Sequence, residues 1–272
     1  MSFISVIITT YNRPDALTAV VEALFTQDDT GFEIIIADDG SGDNTRTAVA
    51  ALQARAPVAL RHVWQEDQGF RAARVRNLGT LDARGDYIIF LDGDCIPQRD
   101  FIGQHRRLAQ PGYLVQGSRI LLSEEATQQV LANRTDVQRL TTGDKLVWRR
   151  RRALNKVLPL LLTLPDVGRT SDRFTWRRIK SCNLAVWRAD LDLVNGFDES
   201  FLGWGHEDAD LVLRLFNAGV MRKDGAYATE VLHLWHREQA RDQESSNRAL
   251  VEQRVATRLI RAVKGLHPGL HP

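Results

Sequence analysis

Tyr87-Ile-Ile-Phe-Leu91, followed at once by Asp92-Gly93-Asp94, is a short, wholly apolar run that stops on two acids. An apolar run without alternation describes a strand buried on both faces, as in a parallel sheet covered by helices. Ser5-Val-Ile-Ile-Thr9 and Glu33-Ile-Ile-Ile-Ala37 have the same character, and residues 58–64 add a fourth candidate. Helical periodicity over residues 15–27, 43–55 and 71–83 supplies the crossovers. Pro14 and the Gly40-Ser-Gly42 turn stand just before two of those starts, where helices commonly begin. Strands alternating with helices predict an α/β fold.

The remainder of the chain reads differently. Residues 123–178 are Arg-rich, with a Leu-rich piece bounded by Pro159 and Pro165, and predict a helical insertion or arm. Cys182-Asn-Leu-Ala-Val-Trp-Arg188 returns the chain to the sheet. Residues 207–218 carry Ala209, Val212, Leu213 and Phe216 at helical spacing and stop at Gly219. A last helix, exposed and charged, is predicted over 241–264.

With 272 residues, 43% of them hydrophobic and 26% charged, the composition is that of a globular protein rather than a disordered one. Thirty-six Lys and Arg against 34 Asp and Glu leave a net charge of +2, too small a field to argue for a nucleic-acid partner. Cys95 and Cys182 show no metal-ligand spacing and predict two buried thiols in a reducing compartment. Residues 1–3 lead into the first strand without a basic n-region, so no signal peptide is expected. The longest apolar stretch, residues 157–164, is too short to span a bilayer. The expectation is a cytoplasmic protein, soluble or peripheral on the inner face of the membrane.

Open parallel sheets bind ligands beyond the carboxyl ends of their strands. Here those ends are Thr10-Tyr11-Asn12-Arg13, Asp38-Asp39-Gly40-Ser41 and Asp92-Gly93-Asp94. Two acids two residues apart project to the same side, and hard oxygen donors at that spacing suit a divalent cation that carries phosphates. A turn whose acids only accept backbone hydrogen bonds is the plainer reading, but the position directly after a buried strand favours a ligand site. Asp38 and Asp39 could accept the N–H of a pyrimidine, or could cap the next helix. Gln68-Gly-Phe-Arg71, with Arg76 and Asn77, sets cations near a helix start where phosphate binds well; Arg74 reads as a solvated face.

Taken together, in this order, these segments resemble family 2 glycosyltransferases of the GT-A fold. The resemblance covers roughly the first hundred residues and rests on Ser-Val-Ile-Ile-Thr-Thr-Tyr-Asn-Arg-Pro, Asp-Asp-Gly-Ser, Gly-Phe-Arg with the later Arg-Asn, and Asp-Gly-Asp. It implies a nucleotide-diphospho-sugar transferase: a Rossmann-like mixed sheet flanked by helices, with a helical insertion and a C-terminal helical extension. The expected division is a nucleotide-sugar-binding half at 1–122, the insertion at 123–180, an acceptor-binding and catalytic half at 181–240, and a helical tail at 241–272. The resemblance further implies that Thr10, Tyr11, Asn12, Arg13 and Asp39 hold the nucleoside. Asp92 would meet the ribose or metal, with Gly93 beside it, and Asp94 the metal.

Gly203-Trp-Gly-His-Glu207-Asp208 is similar to the Gly-Trp-Gly-x-Glu-Asp segment of β-1,4-galactosyltransferases and the bacterial chondroitin polymerase, whose acids face the acceptor. Glycines let a loop approach a substrate, and Trp204 offers a flat face on which a sugar can stack. Glu207 and Asp208 stand at a helix N-terminus, which favours the ionised form a general base needs. Acceptor contacts are expected from Trp204, Gly205 and Asn183. His233 or His236 is expected to complete the metal site, with Mn²⁺ preferred to Mg²⁺ because imidazole joins the ligands. The expected reaction is inverting transfer from a nucleotide diphosphate sugar, UDP-sugar first, to a carbohydrate or lipid-linked glycan in bacterial cell-surface polysaccharide or lipopolysaccharide assembly. Residues 145–176, with Arg149-Arg-Arg-Arg152, leucines, Trp148 and Trp176, are expected to meet an anionic membrane surface. A sugar nucleotidyltransferase would carry a Gly-rich phosphate loop, which Thr9 to Pro14 is not. A non-catalytic nucleotide-sugar or glycan-binding module would share the fold without needing Asp208.

Overall fold

The computed structural model describes residues 2–173, 175, 179–237 and 243–267. The N-terminal half runs β1 (Ile4–Thr10), α1 (Pro14–Phe25), β2 (Phe32–Asp38), α2 (Asp43–Gln53), β3 (Leu60–Trp64), α3 (Ala72–Asp82), β4 (Tyr87–Asp92), β5 (Cys95–Pro97), α4 (Phe101–Leu108), β6 (Tyr113–Gln116) and β7 (Arg119–Leu121). There follow α5 (Glu124–Leu131), α6 (Thr142–Arg150), β8 (Thr170–Ser171), β9 (Asn183–Trp187), α7 (Arg188–Val194), α8 (Glu207–Asn217), β10 (Met221–Asp224), β11 (Val231–His233) and α9 (Glu244–Thr257).

The apolar runs form the centre of an eight-stranded sheet in the order β3-β2-β1-β4-β9-β6-β10-β8. β1 lies parallel to β2 and β4, with Ile8 opposite Ile36 and Leu91. Because both faces are covered, these strands are apolar at nearly every position: Ile4, Val6, Ile7, Ile8, Ile34 and Phe90 have no exposed surface. One face packs on α1 and the insertion; the other packs on α3, α7 and α8 through Phe90, Phe197 and Leu211. β9 enters antiparallel between β4 and β6, so the sheet is mixed. A second sheet of three strands, β5-β11-β7, sits where β4 ends. No described helix is long and apolar enough to cross a membrane.

The C-terminal helix differs from the exposed one predicted. α9 is shorter, residues 241–242 lie outside the described residues, and Asn247, Val251 and Arg254 are buried. Arg254 donates from Nη1 to Asp210 Oδ1 at 2.6 Å and from Nη2 to Asp198 Oδ2 at 2.8 Å, while Arg214 Nε reaches Asp210 Oδ2 at 2.8 Å. All four side chains are almost wholly buried, and such charges persist inside a protein only when paired. Asn247 Nδ2 donates to the carbonyls of Leu202 and Gly205, so α9 also holds the Gly-Trp-Gly loop.

Candidate active site

β4 ends on Asp92, and the chain turns through Gly93 so tightly that a Cβ there would meet Thr9 O at 3.0 Å. Asp94 then enters β5, which pairs antiparallel with β11 so that Cys95 faces His233. The Asp94 carboxylate lies 3.6 Å from His233 Nε2 and 3.2 Å from His236 Nε2, and Cys95 Sγ approaches it at 3.5 Å. One ligand atom each from Asp94, Cys95 and His233 lies within 4.8 Å of the other two. Burial lowers the His233 pKa to about 4, leaving a neutral ring with a lone pair, while burial pushes the Cys95 thiol well up and keeps it protonated. A carboxylate and imidazole nitrogens fit a divalent cation of borderline softness. Both histidines meet Asp94. Cys95 was not anticipated, although it directly follows the acidic motif.

The second acidic pair is carried to this strand end by α3. Arg76, 4% exposed, donates to Glu207 Oε1 at 2.9 Å, Asp92 Oδ1 at 3.2 Å and Thr9 Oγ1 at 3.1 Å. One guanidinium thus ties the ends of β1 and β4 to the start of α8. Ser181 and Cys182 make a second tie: Asp92 N donates to Cys182 O at 3.3 Å and Ser181 N to Asp208 Oδ2 at 3.1 Å. Among the described residues Asp208 forms no ion pair. Burial, then the neighbouring Glu207, lifts its pKa to about 7, and burial also raises Asp92. The chain enters α8 through Gly205 at φ 105° and His206 at φ 72°; the first is a glycine conformation, the second strained.

Beyond β1 and β2 the turns interlock. Asn12 N donates to Ser41 Oγ at 2.8 Å, and Gly42 N to Asn12 Oδ1 at 3.0 Å. Asp39 accepts from Arg71 N at 2.8 Å and from Gln65 Nε2. The exposed Tyr11 donates to Asp67 at 2.9 Å, and Arg13 pairs with Asp15 at 3.0 Å. Thr10 Oγ1 and Arg71 Nε are buried without a partner, so this margin retains polar groups to satisfy.

Four of the expected contact residues are buried and bonded within the protein. Asp38 is used up within its turn, accepting from Ser41 N at 2.8 Å and lying 3.1 Å from His62 Nε2. Asn77 joins the two halves, donating to Phe197 O and accepting from Phe197 N, both at 2.9 Å. Arg76 spends its guanidinium on Thr9, Glu207 and Asp92. Asn183, 1% exposed, is sealed in with its amide on Ser118 O and Thr229 O and His105 Nε2 at 3.1 Å. Trp204 and Gly205 are half-buried on the loop leading into α8.

The family model for glycosyl transferase family 2 matches residues 5–172. The chain belongs to that family. A second model, the N-terminal domain of galactosyltransferase, matches residues 169–236, the part that carries the Gly-Trp-Gly loop and both histidines. Among curated relatives, validoxylamine A glucosyltransferase of Streptomyces hygroscopicus is 31% identical over 230 residues, 80% of this chain and 52% of the relative. Chondroitin synthase of Pasteurella multocida is 30% identical over 238 residues, 79% of this chain and 23% of the synthase. This family 2 chain therefore spans about half or less of the length of these relatives. Among solved structures, S. aureus TarS 1–349 in complex with UDP-GlcNAc has a TM-score of 0.65 at 15% identity, covering 97% of this chain and 68% of TarS 1–349. The mannosyltransferase PcManGT of Pyrobaculum calidifontis, in complex with GDP-Man and Mn²⁺, has a TM-score of 0.58 at 18% identity, covering 87% and 58%. At such identities these two speak for the fold alone.

Proposed function

We propose that this chain transfers a sugar, with inversion, from a nucleotide diphosphate sugar to a hydroxyl of a carbohydrate acceptor. The observation that carries the reading is the chain Asp94, Asp92, Arg76, Glu207, Asp208, which joins a metal-competent strand end to a carboxylate with a raised pKa. Asp208 takes the proton from the acceptor hydroxyl; a pKa of about 7 matches the working pH, where a base is both ionised and basic enough. Glu207 is committed to Arg76 and positions α8 rather than accepting the proton. The hydroxyl oxygen bonds to the anomeric carbon as the bond to the leaving diphosphate breaks. Asp94 with His233 and His236 would hold a divalent cation, Mn²⁺ before Mg²⁺, which screens the charge growing on that diphosphate. Tyr11, Asn12 and Asp39 line the nucleoside margin, where each Asp39 oxygen keeps a lone pair for a uracil N–H, and Thr10 Oγ1 and Arg71 Nε await polar partners. Trp204 stacks on the acceptor. The complexes of TarS with UDP-GlcNAc and PcManGT with GDP-Man and Mn²⁺ support a nucleotide sugar and a metal. The galactosyltransferase and chondroitin synthase likenesses support a carbohydrate acceptor. Incubating the purified chain and Mn²⁺ with a panel of UDP-, GDP- and dTDP-sugars, with and without glycan acceptors, tests the reading by diphosphate release. Release of pyrophosphate, or binding without release, would overturn it.

A further inference from the structure

We propose that the face made by α6 and the segment after it docks on an anionic lipid bilayer. From Lys145 to Pro165 the sequence contains six cations and no acid. Arg149, Arg150, Arg151 and Arg152 are all exposed, and none forms an ion pair with a described residue. α6 buries none of its residues. Trp148 turns inward, part-buried against the main core, so at 100° per residue Leu146 and Arg150 point almost directly outward, one turn apart. The stretch that follows displays Leu158, Leu162, Leu164 and Val167, which are 46% to 81% exposed, beside Leu146 and Val147 at 50% and 47%.

This exposure is built rather than slack. Lys145 Nζ donates to Leu160 O at 3.2 Å and fixes the apolar stretch against α6. Leu164 is pinned by its own N–H to Tyr227 O at 2.9 Å, and its carbonyl accepts from Arg107 and Arg169. Arg169 also closes on the carbonyls of Pro165, Asp224 and Ala226. The backbone is satisfied while the apolar side chains are held outward. Leu154 does not belong to this face: it is fully buried and bridges Leu122. Trp176 lies outside the described residues.

Cations alone would suit any polyanion, and leucines alone any apolar partner. Interleaved on one surface they match the headgroup region, where guanidinium groups meet lipid phosphates and leucines enter the acyl boundary. The face is rooted at the candidate site, since Leu122 N donates to His233 O and Ser123 N to Ala153 O, next to the arginines. A bilayer bound there would bring a lipid-linked acceptor to the cleft.

The test is co-sedimentation with vesicles, which needs no transfer activity and so stands or falls apart from the proposed reaction. The chain is expected to sediment with phosphatidylglycerol–phosphatidylethanolamine vesicles at low salt, weakly at high salt, and not with phosphatidylcholine. Each arginine near an anionic surface raises partitioning about fivefold, so replacing Arg149, Arg150, Arg151 and Arg152 by Gln should lower it at least about a hundredfold. Leu158→Ser with Leu162→Ser should release the protein while its circular dichroism and melting temperature hold. Failure of the unmodified chain to bind anionic vesicles overturns the proposal, as does binding that survives both sets of changes. A dimer in light scattering that the leucine changes dissolve would assign the face to a second copy instead.

Discussion

Replacing Arg76 by methionine removes the guanidinium while keeping much of the side-chain volume. It strands two carboxylates: Glu207, whose side chain is 9% exposed, and Asp92, at 33%. Breaking a buried pair by deleting one partner costs about 3–5 kcal/mol. Glu207 bears most of that cost, and water reaching Asp92 recovers part of its share, so the low end applies, about 3 kcal/mol near neutral pH. With a urea dependence of about 3 kcal/mol per molar, the unfolding midpoint falls by about 1 M. The pH dependence has a definite sign. Burial already raises the Asp92 pKa with Arg76 present, and losing the guanidinium that opposes this raises it further above that of the unfolded chain. The added penalty is absent below the unfolded value, about 4, grows as pH rises above it, and levels off once the raised folded value is passed. Urea melts of the two proteins at about pH 7.5 and about pH 5 should therefore show a gap that narrows in acid. A gap under about 1 kcal/mol at the higher pH, or one that does not change with pH, would refute the bridging role given to Arg76.

The remaining predictions concern the chemistry. Asp208→Asn should keep donor affinity and fold while lowering transfer about a hundredfold or more; if Glu207→Gln, corrected for its lost stability, is the more damaging change, the base has been assigned to the wrong acid. In the unmodified chain kcat/KM should rise with pH and level off above about 7, since Asp208 must be deprotonated; a rate flat between about pH 5 and 8 would remove it from the role. Asp94→Ala should abolish heat release on titrating Mn²⁺ in the presence of UDP, and unchanged affinity would place the metal elsewhere.

Much of the first hundred residues was legible because their strands are buried on both faces. A run such as Glu33-Ile-Ile-Ile-Ala37 has few other ways to satisfy its side chains, and β2 lies at residues 32–38. Asp92 and Asp94 were legible for the same reason: they end a strand whose place was already known. What could not be read were partners distant in the chain. Arg76 meets Glu207 across 131 residues, and Asn77 meets Phe197 across 120, ties that no local pattern around either residue announces. Asn183 follows a thiol and precedes an apolar run; only the meeting of Ser118, Thr229 and His105 around its amide shows that it is sealed off. α9 looked like a solvated helix because Arg254 is a charged residue, and only the positions of Asp198 and Asp210 reveal the buried pairing.

That pairing imposes an order on synthesis. Asp198 and Asp210 leave the ribosome 56 and 44 residues ahead of Arg254. Domains fold largely as the chain emerges, N-terminal parts first. The parallel strands of residues 1–92 can assemble early, but the segment around Gly203-Trp-Gly205 cannot bury its acids until the last turns of α9 arrive. Truncation before Arg254 would leave the early parallel strands attached to a C-terminal part whose Asp198 and Asp210 have lost a buried counter-charge. Expression designs that trim the tail as dispensable would then yield protein whose first strands assemble while the start of α8 lacks a buried counter-charge.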